Sequence, residues 1–172
     1  MKTAISEKRH RPFLVLALVV SFLSLSACRV QLVPQYDAKI VVLTELSRKS
    51  VDKLYDAIQN ATIESNERAF DLFACQYESV EDELQLLLQT IQERKKRNEA
   101  RILLCKKTVL QFDDYMITTC DSTITMFERY KEIHRNRNML NDTHICRHRG
   151  NIKRMLKTLL DSEEAKEEKV DK

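Results

Sequence analysis

Downstream of residue 37, apolar residues recur every third or fourth position, the spacing that gives an α-helix one buried face. Ile40, Leu43, Ser47, Val51, Leu54, Ile58 and Ala61 form the first stripe, and Asp37 ahead of it is a good N-terminal cap. Val80, Leu84, Leu87, Leu88 and Ile91 predict helix two, which runs into the charged stretch Glu93-Arg94-Lys95-Lys96-Arg97. Met116, Ile117, Cys120, Ile124, Phe127 and Tyr130 predict helix three, to about Arg135. Thr108-Val109-Leu110-Gln111 fits a capping box in front of it. Ile152, Met155, Leu156, Leu159 and Leu160 predict helix four, following Gly150. Residues 60–74 read as a frayed end plus a loop, 136–143 as a polar break, and 162–172 as a solvated tail. The expectation is an all-α fold, an antiparallel up-down four-helix bundle over residues 37–161, because short connections force neighbouring helices to run antiparallel.

One apolar run has no such period. Phe13 to Leu25 is uncharged over thirteen residues and follows Lys2, Lys8, Arg9 and Arg11. That suits a signal-peptide core and falls short of the roughly 20 residues that a permanent membrane span needs. It ends at Leu25-Ser26-Ala27-Cys28, which resembles the lipobox of bacterial lipoproteins: small side chains for a peptidase pocket, then the thiol that alone can form a thioether. The resemblance implies cleavage between Ala27 and Cys28, a diacylglyceryl and an N-acyl lipid on Cys28, and a tether over residues 28–36. Two or three acyl chains make membrane attachment durable where one is marginal. Arg29 stands where an Asp tends to retain such proteins at the inner membrane, which implies an outer-membrane lipoprotein facing the periplasm.

The signal segment changes how charge is read. The whole chain has 29 Lys+Arg against 26 Asp+Glu, a formal net charge of +3. Without residues 1–27 the count is 25 of each, so no nucleic-acid partner is expected. One local cluster remains, Arg94, Lys95, Lys96 and Arg97: either cations favoured at a helix C-terminus or an anion-binding patch for lipid head groups. Gly150 is the single glycine, which excludes glycine-rich phosphate loops, dinucleotide fingerprints and the nucleophile elbow. No enzyme activity, catalytic residue, cofactor or metal is therefore expected. His144 and His148 would share a helical face, as zinc ligands often do, but Arg147 and Arg149 crowd them with positive charge. His134 stands alone, and Asp113-Asp114, Glu81-Asp82-Glu83 and Glu163-Glu164 read as solvated faces.

With Cys28 lipidated, four cysteines remain, and an exported chain tends to oxidise such thiols in pairs. In an up-down bundle Cys75 and Cys146 share one end and Cys105 lies at the other. Cys120 sits roughly 18 Å along helix three, beyond disulfide reach. The expected bridge is Cys75–Cys146, worth about 4 kcal/mol on the chain-entropy model, with Cys120 a core residue and Cys105 either a free thiol or an intermolecular link.

Val30-Gln31-Leu32-Val33 and Tyr36-Asp37 after the lipid Cys, Cys75-Gln76-Tyr77-Glu78, Thr108-Val109-Leu110-Gln111-Phe112-Asp113 and the later Cys146 together resemble a family of small helical bacterial lipoproteins to which no activity is assigned. That resemblance implies the same Cys75–Cys146 link and supplies no catalytic residue. The functional expectation is a non-enzymatic, membrane-anchored scaffold or protein-interaction module with an envelope protein as partner. The alternative is a ligand- or inhibitor-binding module, such as an immunity or exclusion lipoprotein of a mobile element.

Overall fold

The computed structural model describes residues 35–61, 67–103 and 112–167. Among these there are four α-helices and no strand: α1 (Ala38–Asn60), α2 (Ala74–Leu103), α3 (Phe112–Arg137) and α4 (Asp142–Glu167), with a 3-10 turn at Phe70–Leu72 ahead of α2. The signal segment, Cys28, most of the tether, the Thr108–Gln111 capping box and Cys105 lie outside the described residues.

Asp37 caps α1 as expected, its carboxylate accepting from the Lys39 N–H at 3.0 Å. The helices pack in a ring: α1 touches α2 and α4, and α3 touches the same two, while α2 and α4 lie across a diagonal. The predicted stripes fill the centre of this helical bundle, with Leu84, Leu87, Met116 and Phe127 fully buried, and Tyr55 and Tyr77, outside those stripes, are buried with them. Each such side chain contributes roughly 1.5–3 kcal/mol by leaving water.

Three boundaries differ from the sequence reading, two of them because a polar residue has a specific partner. Helix four starts at Asp142, not after Gly150, because Asn141 caps it: its Oδ1 accepts from the His144 N–H at 2.9 Å. The preceding turn rests on Asn138, the one described non-glycine residue with positive φ (54°), a conformation that Asn adopts readily after a helix. Gly150 is ordinary mid-helix backbone, with nothing within 4 Å of where a Cβ would sit. Residues 162–167 of the expected tail belong to α4, which continues to Glu167 with Glu163 and Lys166 buried, and 168–172 lie outside the described residues. Helix two likewise takes in Cys75 at its start and runs past Arg97 to Leu103.

The Cys75–Cys146 bridge is also corrected. Both thiols are free and exposed. Their helices are diagonal partners, so sharing an end of the bundle does not bring them together. Cys120 is free and buried in the core, as expected.

Candidate functional site

Two buried polar clusters lie at opposite ends of the bundle. The first is built on Arg94, whose side chain points inward from α2. One guanidinium nitrogen donates to both Glu163 oxygens, at 2.7 and 2.6 Å, and the other donates to Asp113 Oδ1 at 2.8 Å. Lys166 Nζ donates to Glu163 Oε2 at 2.6 Å, and the Asp37 backbone N–H donates to Glu163 Oε1 at 2.8 Å. Asn98 donates to the remaining Asp113 oxygen at 3.0 Å, and the Met116 sulfur lies 3.1 Å from Arg94 and 3.3 Å from Lys166. Glu163 is 0 % exposed and Arg94, Asp113 and Lys166 are nearly so. Two cations therefore face two anions in the interior, where only close pairing offsets the loss of hydration. Burial pushes the Lys166 ammonium below its usual range, opposed by its bond to Glu163.

The second cluster is built on Arg68 and His134. The Arg68 guanidinium donates to the carbonyls of Gln59 and Ala61 at the end of α1, to Leu140 O, and to Asp142 Oδ1 at the start of α4. It thereby satisfies helix-end carbonyls that otherwise lack partners. His134 Nε2 lies 2.7 Å from the Arg68 carbonyl, which can only accept. Nε2 therefore carries the proton, leaving Nδ1 to accept from the Tyr77 hydroxyl at 3.0 Å. Burial lowers the His134 pKa, keeping the ring neutral. Phe70 packs edge-on against His134 and stacks on Tyr77. The Tyr55 hydroxyl approaches Tyr77 without making a well-formed hydrogen bond.

The predicted basic patch does not assemble into one surface. Arg94 is committed to the core, Lys95 pairs with Asp114 and Glu99, and Arg97 reaches Asp37. Of the four, Lys96 is exposed and has no charged partner among the described residues. His144 and His148 do share a face, with ring centroids 5.9 Å apart. His148 is stacked on Tyr130 at 3.8 Å and has its pKa pushed down to about 4, first by burial and then by His144 and Arg147. His144 Nε2 faces Arg137, 2.5 Å away. No group of three metal-ligating side chains occurs among the described residues. A recess of about 210 Å³, lined by Arg137, Met139, Leu140, Asn141 and His144, opens beside it.

Glu163, Lys166 and Asp113 are core polar residues that the sequence reading placed in solvent, and His134, which it left standing alone, is buried with them. A signal for some was present: Glu163 and Lys166 continue the stripe Ile152, Leu156, Leu159 at the same helical spacing, and His134 continues that of Phe127 and Tyr130. Arg68 has no such signal. Comparison with protein-family models, curated proteins and solved structures gave no match.

Proposed function

We propose that this chain is a lipid-anchored envelope lipoprotein whose helices form an up-down-up-down bundle acting as a non-catalytic scaffold or protein-interaction module. The observation that supports this most directly is the bond from the Asp37 backbone N–H to the buried Glu163. It ties the chain where the predicted tether ends into the interior of one bundle end. A lipid on Cys28 would then hold that end near the outer membrane. The opposite end carries the Arg68 cluster, the small recess, the exposed Leu72 and the exposed thiols of Cys75 and Cys146. On this reading it faces the periplasm and meets an envelope protein.

Mass spectrometry of the N-terminal peptide tests the anchor. The expected species begins at Cys28 and carries a diacylglyceryl and an N-acyl group, and Cys28→Ser leaves uncleaved precursor. An exported chain with an unmodified Cys28 overturns the lipoprotein reading. In-cell photocrosslinking from position 72 tests the partner: a specific protein adduct supports an interaction module, and its absence with the full chain correctly anchored counts against one.

A further inference from the structure

Three of the five large apolar side chains exposed on the described surface, Val42, Leu46 and Leu86, lie along one seam, the outer groove between α1 and α2. Two contacts set its register. Ser50 donates to Glu83, and Arg97 reaches Asp37, so the two helices run in opposite directions with residues 50 and 83 level. Leu46 lies one turn before Ser50 and Leu86 one turn after Glu83, so both are displaced about 5 Å toward the Asp37 end and stand level with each other. Val42 is one turn further along the same strip. Charges flank this apolar centre. Lys39 and Glu93 border it toward the Asp37 end, while Lys49, Lys53 and Asp82 border it on the other side.

The seam differs from its neighbours. The α1–α4 seam is closed by Arg149 and Lys153 on Asp52 and Asp56. The α2–α3 seam is closed by Lys131 on Glu81 and by Lys95 on Asp114. The α1–α2 groove has one ion pair at its Asp37 end, Arg97 with Asp37, but along the rest of it none of Lys39, Lys49, Lys53, Asp82 and Glu93 forms an ion pair with a described residue.

We propose that this seam docks a second copy of the chain, with a two-fold axis parallel to the helices. That rotation lays α1 of one copy on α2 of the other without changing height along the bundle. It sets Leu46 against Leu86, Lys53 against Asp82 and Lys39 against Glu93, each pair formed twice. The arrangement is self-complementary, as a two-fold interface requires. It answers the mixed signs of the rim, where an anionic lipid surface would be repelled by Asp82 and Glu93. It also keeps both Asp37 ends on the same side, which suits two chains anchored in one leaflet, although the contact itself needs no lipid.

The seam from Lys39 to Lys53 is about 20 Å long and two helices wide, roughly 400 Å² per partner or about 800 Å² in total, below the ~1,200 Å² at which stable interfaces begin and in the range of weak, transient ones. The association is therefore weak in dilute solution and is favoured where anchoring concentrates the chains.

Two differently tagged full-length copies, co-expressed and treated in cells with a zero-length amine–carboxyl coupling reagent, test this. The expected result is covalent recovery of one tag with the other under denaturing conditions, with Lys53–Asp82 or Lys39–Glu93 cross-linked peptides in the recovered product. Leu46→Glu combined with Leu86→Glu should cut this product at least tenfold, the loss expected of central anchors, with helical circular dichroism unchanged because both positions are exposed. Lys53→Glu should weaken it, and adding Asp82→Lys to the same chain should restore it. The proposal is overturned by the absence of any inter-copy product. It is equally overturned by a product that survives the double Leu substitution, or by seam positions that couple only to other proteins.

Discussion

Arg94 and Glu163, 69 residues apart in sequence, meet in the interior with one guanidinium nitrogen 2.7 and 2.6 Å from the two carboxylate oxygens. Neither residue is accessible to solvent to any useful degree. The pair joins α2 to α4 across the diagonal, where the helix backbones make no contact of their own. Glu163→Gln would strand Arg94 and Lys166 without enough negative charge, and breaking a buried pair from one side costs about 3–5 kcal/mol. Urea denaturation should show a loss of that size. Arg97→Gln is the control, because its own side chain is more than half exposed and its contact to Asp37 is long, 3.4 Å, and the expected loss is below about 1 kcal/mol.

Acid sensitivity follows from His148. Its pKa is about 4 in the fold against 6.5 unperturbed, so between those values the unfolded chain binds a proton that the folded chain does not. Stability should therefore be fully present above pH 6.5 and fall as pH drops toward 4, by up to ~3 kcal/mol from this residue. His134, also lowered by burial, adds in the same direction. Thermal melts from pH 7 to pH 4 should show the decline, and His148→Phe, which keeps a ring against Tyr130 and Tyr55, should flatten it.

Arg68 holds four acceptors on three segments with one planar fork. Arg68→Lys keeps the charge but cannot reproduce that geometry. The expected loss is about 2 kcal/mol or more, from carbonyls left buried without donors. Hydrogen exchange should show it first, as faster exchange at the end of α1 and the start of α4.

Gly150 lies within α4 and has open space where a side chain would go. Gly150→Ala should raise stability by about 0.5–1 kcal/mol through helix propensity and a less flexible unfolded chain. A decrease would mean that something covers this face in the folded protein.

Because Cys75 and Cys146 are free and exposed, both should react with a thiol reagent in the native state. Cys120 should react only after unfolding, since burial pushes its thiol up to about 12. Quantitative alkylation with peptide mapping measures all three. Protection of Cys75 and Cys146 together would revive the bridge that the diagonal placement of their helices rules out.

Periodicity alone determined the all-α class and the core face of each helix, because one buried stripe is a local property of 3.6 residues per turn. Leu43, Val51, Leu84, Phe127 and Leu156 were all legible in this way. The Asp37 cap was legible for the same reason: it bonds two residues away. The tertiary structure decided what depends on a distant partner. Glu163 and Lys166 read as solvated charges until Arg94 and Asp113 are brought alongside them, and only that pairing makes their burial affordable. Cys75 and Cys146 read as neighbours until the ring of helices sets them on opposite corners. A sequence states which residues prefer to leave water, but a buried charge is stable only beside its counter-charge, and that proximity exists in space before it can be seen along the chain.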